Sequence, residues 1–280
     1  MRHLFLIAAA AASLCVATPI VAAATKSPDF AAAIAKPNRP ADEVKLDESR
    51  KPAEVLKFFG LTSKMKAADV MSGSGYWAEI MANAIGAKNV TAFEPSEFYA
   101  SPKAAESWDA LKKREPGITL TTYPFKSLSA PAKSFDFTII NLSYHDMYWE
   151  STKYNIPRAD PAAFVKALFD MTKPGGIVGV IDHVGAPGDT RAVVEAVHRI
   201  DPETVKADFK KAGFVLEAQS NLLANPADDP RQDRPLRLQI PQTQEIVVRP
   251  SHPIASQWGG GSRASGHIYF AQSPQRPQRA

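Results

Sequence analysis

Cysteine is nearly absent from the chain: Cys15 is the only one, and it lies within the first two dozen residues. Once that segment is removed, disulfides, thiol catalysis and Cys-ligated metals are excluded, and a thiol-free chain suits an oxidising compartment. Charge of one sign is not in excess either, since 33 basic residues face 29 acidic ones. Nothing in that balance argues for nucleic acid or a membrane surface as partner. Internal repeats are lacking. The N-terminal apolar stretch, Leu4 to Ala17, falls short of the roughly 20 residues of a membrane span and is built of alanine more than leucine.

With Arg2 before that stretch and Ala22 and Ala24 in an A-x-A arrangement after it, residues 1–24 read as a secretory signal peptide cleaved after Ala24. The expectation is a periplasmic or secreted protein with no stable membrane anchor. The rest of the chain is the size of one large domain with extensions.

Residues 25–47, rich in alanine, lysine and proline, read as a flexible lead-in. A first helix follows, with Pro52 in its first turn, Val55, Leu56 and Phe59 on one side and Gly60 as its cap. Short apolar runs at 67–71, 89–93, 118–122, 135–142, 177–181 and 214–218 then alternate with helical stretches at 76–85 and 103–114 and helices opening at Pro161 and Pro202. Apolar strands separated by amphipathic helices imply a doubly wound α/β fold, a mostly parallel seven-stranded sheet with helices on both faces, over residues 48–272. Within it, 221–266 reads as a surface excursion holding a strand at 245–249, 266–272 as a last strand, and 273–280 as a disordered tail.

Gly73 and Gly75 stand between the first strand and its helix, where a glycine turn lets a ligand approach the backbone. G-x-G alone is a weak motif. Glu94, at the end of the second strand, adds a carboxylate about 20 residues on that can accept from both hydroxyls of a ribose. Ala78 stands where a dinucleotide fingerprint needs its third glycine, which favours a ligand with a ribose and no phosphate and disfavours a nicotinamide oxidoreductase.

These residues, Asp69-Val70-Met71-Ser72-Gly73-Ser74-Gly75 and Glu94, together with Ser134-Phe135-Asp136 and Lys173-Pro174-Gly175-Gly176, resemble the class I S-adenosylmethionine-dependent methyltransferases over roughly Pro52 to Gln272. More narrowly, Asn141 to Trp149, Ile181-Asp182-His183, His198 to Pro202 and Asn225 to Asp229 resemble a group of secreted bacterial predicted methyltransferases. The resemblance implies S-adenosyl-L-methionine as cofactor, held by Asp69, Ser72, Gly73, Ser74, Gly75, Tyr76, Glu94 and Asn141. Met71 occupies the family's first glycine, and the loop after the third strand, TTYPFKSLS, lacks the acid that reads the adenine amino group.

Ligands of doubly wound sheets sit beyond the carboxyl ends of the strands, which places the loop SYHDMYW over the methyl group. His145 is the candidate general base, since its side chain titrates near neutrality, with Tyr144 and Asp146 beside it. Tyr148, Trp149, His183, His198 and Arg199 are the candidate contacts to a small-molecule acceptor. No metal is expected, because no short ligand spacing such as H-x-x-x-H occurs. The expected function is an exported methyltransferase acting on a small molecule or an envelope component. The alternative is a periplasmic ligand-binding protein on the same fold without catalysis.

Overall fold

The computed structural model describes residues 26–229, 231 and 243–250. The signal peptide expected at 1–24, the strand expected at 266–272 and the tail expected at 273–280 lie outside these. Among the described residues, seven strands form one sheet: β1 (Ala67–Val70), β2 (Val90–Pro95), β3 (Thr119–Tyr123), β4 (Phe135–Asn141), β5 (Thr172–His183), β6 (Phe214–Ser220) and β7 (Thr243–Pro250). Their order is β3-β2-β1-β4-β5-β7-β6. All neighbours from β3 to β5 pair parallel, and β7 runs antiparallel between β5 and β6. The strand order reverses between β1 and β4, so their carboxyl ends flank the crevice where such sheets bind ligands.

Among the described residues, ten α-helices cover the faces: α1 (Phe30–Ile34), α2 (Ala41–Val44), α3 (Asp47–Arg50), α4 (Pro52–Phe58), α5 (Tyr76–Ile85), α6 (Ser96–Tyr99), α7 (Pro102–Arg114), α8 (Pro161–Met171), α9 (Thr190–Val197) and α10 (Pro202–Lys211). Five start with a side-chain cap at their first turn, where free N–H groups need acceptors: Asp29, Ser101, Asp160, Asp189 and Asp201. Pro102, Pro161 and Pro202 follow three of these caps, in the first turn where a missing N–H costs nothing. One core lies under α4, α5 and α7 and includes Leu56, Phe59, Ile80 and Trp108. The other lies under α8 and α10 and includes Phe93, Tyr144, Leu168 and Phe209.

The structure corrects two expectations. The lead-in is helical and docked: Phe30 and Ala33 of α1 are buried in the α5 core, and Asn83 donates to the Ala33 carbonyl. This explains why α5 buries Ala78, Glu79 and Ala82 besides its apolar stripe. Glu79 tolerates burial because Arg114 of α7 makes two hydrogen bonds to it, at 2.8 and 2.9 Å. Alanine-rich composition resembles a linker; α1 becomes ordered because Phe30 has an apolar surface to cover. The second correction concerns 221–266: the strand expected at 245–249 is present as β7, but it is interior to the sheet, enclosed on both edges, with Ile246, Val247 and Val248 buried.

Candidate active site

β1 runs into a turn in which Met71, Gly73 and Gly75 all have positive φ, at 57°, 57° and 89°. Met71 is a non-glycine residue in the left-handed region, a conformation that costs roughly 1–2 kcal/mol. It is held there by its amide bonding the Phe93 carbonyl at 2.8 Å and by burial of its side chain. The two glycines have different reasons to be glycine. At Gly75 a Cβ would meet Leu111 at 2.4 Å and Trp108 at 3.1 Å, so α7 packs against the bare backbone. At Gly73 a Cβ would meet nothing within 4 Å, and its carbonyl accepts from the Trp108 indole at 2.8 Å.

Glu94 turns its carboxylate onto this loop, accepting from the Gly73 amide at 2.8 Å and the Ser72 hydroxyl at 3.4 Å. It is buried, and burial pushes its carboxyl up to about 8; the Gly73 amide works against that shift and Asp69 adds to it. Asp69, also buried, accepts from the Ala78 amide at 2.9 Å, and burial raises it to about 7 against the pull of that amide and of Arg50.

Next to the turn is a concavity of about 200 Å³ lined among others by Arg50, Asp69, Gly73, Trp77, Asn141 and Ser143. The lead-in builds its rim. Tyr76 donates to Asp47 at 2.7 Å, Ser74 to Glu43 at 3.1 Å, and Arg39 clamps Asp47 with two bonds at 2.7 and 2.8 Å. The guanidinium of Arg50 lies 4.4 Å from the centre of the Tyr76 ring. Among the described residues it makes no hydrogen bond, nor does the buried indole N–H of Trp77. Burial lowers the Arg50 pKa against the pull of the surrounding acids.

Past Ser143 the chain makes a 3₁₀ turn, Tyr144–Tyr148. His145 is buried there, its Nδ1 2.7 Å from Asp182 at the end of β5, and its backbone amide donates to the other oxygen of the same carboxylate at 2.8 Å. Burial opposes ionisation of Asp182, but the facing His145 ring, His183 and the amide outweigh it and hold the carboxyl below its usual range. The pairing fixes Nδ1 as the protonated nitrogen and leaves Nε2, 3.4 Å from Asp146, as the other exchange position. The rings of His183 and His198 lie 6.2 and 6.1 Å from that of His145, and Trp149 lies 5.0 Å from His198.

Residues 68–180 match the model of a family described as a methyltransferase domain. A SAM dependent methyltransferase from Aquifex aeolicus shares the fold at 16% identity and a TM-score of 0.50, over 75% of this chain and 97% of that one. A Haloferax volcanii protein solved in complex with a methyltransferase activator does so at 14% identity and a TM-score of 0.54, over 81% of this chain and 100% of that one. No curated protein matches. Residues 68–180 thus resemble a methyltransferase domain, and the solved structures share its fold.

The expected cofactor is S-adenosyl-L-methionine, and the concavity fits its amino-acid end. The guanidinium of Arg50 and the N–H of Trp77, neither of them hydrogen-bonded, suit a carboxylate, and the buried Asp69 suits a cation. Among the expected cofactor residues, Asp69, Ser72, Gly73, Ser74, Tyr76 and Asn141 line the concavity, whereas Gly75 supports the turn from behind and Glu94 sits against the turn.

One expected catalytic residue, Tyr144, and two expected acceptor contacts, Tyr148 and Arg199, are placed otherwise. Tyr144 lies in the core among Phe164 and Phe209, and its hydroxyl donates to Asp208 at 2.7 Å. Tyr148 donates to the same oxygen of Asp208, so the two tyrosines tie the 3₁₀ turn to α10. Arg199 is wholly buried and clamps Asp228 with bonds at 2.7 and 2.8 Å. Hydroxyls and a guanidinium engaged in this way shape the crevice rather than face it. His145, Asp146, Trp149, His183 and His198 do come together.

Arg50, Trp77, Asp182 and Asp208 were not singled out by sequence reasoning. Asp182 carried a readable sign, a carboxylate at the end of an apolar strand directly before His183. Arg50 carried none, because only the docking of the lead-in brings it to the concavity.

Proposed function

We propose that the chain is an S-adenosylmethionine-dependent methyltransferase, exported by its N-terminal leader and acting on a small-molecule or envelope acceptor. The observation that supports it best is the Arg50 and Trp77 donor pair beside the glycine turn, at the switch point of the sheet. When bound, the cofactor supplies a methyl carbon already activated by its sulfonium. The chain's own residues therefore have to align the acceptor and exclude water rather than generate a strong nucleophile. Arg50 and Trp77 hold the carboxylate, Asp69 faces the cationic end, and Glu94 accepts from the ribose. Where the acceptor must lose a proton, His145 takes it at Nε2 while Asp182 steadies the ring.

Calorimetric titration of the mature protein with S-adenosylmethionine, S-adenosylhomocysteine and NAD tests this. Binding of the first two and not the third is expected, and silence with all three overturns the reading. Arg50→Gln should weaken S-adenosylhomocysteine by about tenfold or more, the loss of one charge-assisted hydrogen bond, with the thermal midpoint nearly unchanged. Binding without transfer to any acceptor would instead favour a ligand-binding role, for which the bulk of Met71 at the turn is the supporting observation.

Glu94 also sets a pH dependence. Its carboxyl titrates near 8 in the folded protein, against an ordinary value of 4.5. Between these two values the unfolded chain is the state that has lost the proton, so stability is greatest below about 4.5, falls as pH rises and levels off above about 8. Asp69 acts in the same sense up to about 7. Thermal midpoints of the ligand-free protein should fall from pH 5 to pH 8, and Glu94→Gln should flatten that slope. A steeper slope in the variant would contradict the assignment. Cofactor affinity should move the other way, rising toward pH 8, because the ionised carboxylate is the better acceptor for ribose hydroxyls.

A further inference from the structure

The amino-terminal ends of β1, β2, β4 and β5 carry a second concavity, of about 340 Å³. Four separate segments each bring a lysine to it: Lys66 before β1, Lys88 in the turn before β2, Lys133 in the bend before β4, and Lys173 at the start of β5. Half of its eight lining residues are thus lysine, in a chain where lysine and arginine together make 33 of 280 residues. Phe135 is buried at its wall, and Asn89 and Thr91 add polar groups.

One carboxylate serves this lysine group, and it is fully engaged. Asp136 takes Lys173 on both oxygens, at 2.8 and 2.9 Å, and the backbone amide of Lys66 at 2.9 Å. Among the described residues, Lys66, Lys88 and Lys133 make no ion pair. Lys133 is also held in the left-handed region, at a φ of 51°. Two backbone bonds of 2.8 Å, from Lys133 to Asp170 and from Ser134 to Met171, pin that bend to the end of α8. A bulky residue keeps that conformation only where its surroundings impose it.

Three unpaired ammonium groups around one hollow repel each other, and concave walls focus their field on whatever enters. The group that relieves all three at once has several charged oxygens on one centre. Lysine meets such a group as a point charge with three donors, without the planar fork that favours carboxylates. We propose that this concavity binds a multiply charged phosphate group, at the end of the strands opposite the glycine turn. Its size falls at the small end of the roughly 300–1,000 Å³ of ligand pockets, which suits a phosphate head and little more. The source is either a free diphosphate or the phosphomonoester headgroup of a lipid.

Titration of the mature chain with sodium pyrophosphate, and its co-sedimentation with vesicles of phosphatidic acid against vesicles of phosphatidylcholine, test the proposal. The comparison protein is the Lys66→Gln/Lys88→Gln/Lys133→Gln variant, whose three lysines are exposed and bear no described ion pair. Each charge-assisted hydrogen bond lost costs about tenfold, so the variant, which loses three, should bind about a thousandfold more weakly. Added salt should weaken the wild-type interaction as well. Saturable pyrophosphate binding supports a soluble ligand, and binding to phosphatidic acid vesicles alone supports a headgroup. Absence of both in the wild type, or binding that the variant keeps undiminished, overturns the proposal. The variant's titration with S-adenosylhomocysteine should match wild type, so failure here leaves the methyltransferase reading as it stands.

Discussion

Asp228→Ala is expected to destabilise the protein by about 3–5 kcal/mol, the cost of leaving one member of a buried ion pair without its partner. Arg199 is wholly buried, and both of its terminal nitrogens donate to Asp228. With the carboxylate gone, the guanidinium keeps its bond to the Val184 carbonyl at 3.3 Å but loses the two carboxylate oxygens on its terminal nitrogens. In a domain of this size each kcal/mol moves the thermal midpoint by roughly 2–4 °C, so a fall of about 6–20 °C should appear by calorimetry. The pair itself is a different matter. Arg199→Met/Asp228→Leu removes both charges and should recover most of the loss, because the desolvation penalty of the pair offsets much of its attraction. A single variant that melts within a degree or two of wild type would show that water reaches Arg199 and that the clamp is not what holds 221–229 to the start of α10.

The clamp also shows where sequence reading stops. The alternation of apolar runs and amphipathic helices, the caps at Asp160 and Asp201, and the turn at Gly73 and Gly75 depend on neighbours a few residues apart, and all were legible. Strand β7 was legible as a strand but not as an interior one, because its place between β5 and β6 is decided by pairing partners dozens of residues away. The lead-in was misread for a related reason: only the surface of α5 gives Phe30 and Ala33 something to bury against. The same limit applied to side chains. Tyr144, Tyr148 and Arg199 have the chemistry of site residues, and their engagement with Asp208 and Asp228 is visible only once α10 and the 221–229 segment are in place. His145 could be chosen from its type and its loop, whereas Asp182, which orients it, came from another strand.

The two glycines of the turn should respond to the same substitution in different ways. Both have positive φ, so alanine at either costs about 1–2 kcal/mol in backbone strain. At Gly75 the new methyl would also sit 2.4 Å from Leu111 and 3.1 Å from Trp108, both buried and close-packed. Forcing a methyl into a filled core adds about 1–3 kcal/mol, so Gly75→Ala should lose about 2–5 kcal/mol in all. Displacing Trp108 would also pull its indole from the Gly73 carbonyl and disturb the turn from behind. Gly73→Ala meets open space and should cost no more than the strain, yet its methyl lies beside the concavity and would hinder a ligand's approach to the backbone. Denaturant unfolding and calorimetric titration with S-adenosylhomocysteine, run on both variants, separate the two effects. The expected pattern is a large stability loss at Gly75, and at Gly73 a small one with weakened binding. A Gly73→Ala protein that binds as tightly as wild type would place the ligand elsewhere in the crevice, and with it the assignment of Arg50 and Trp77 to the carboxylate would fall.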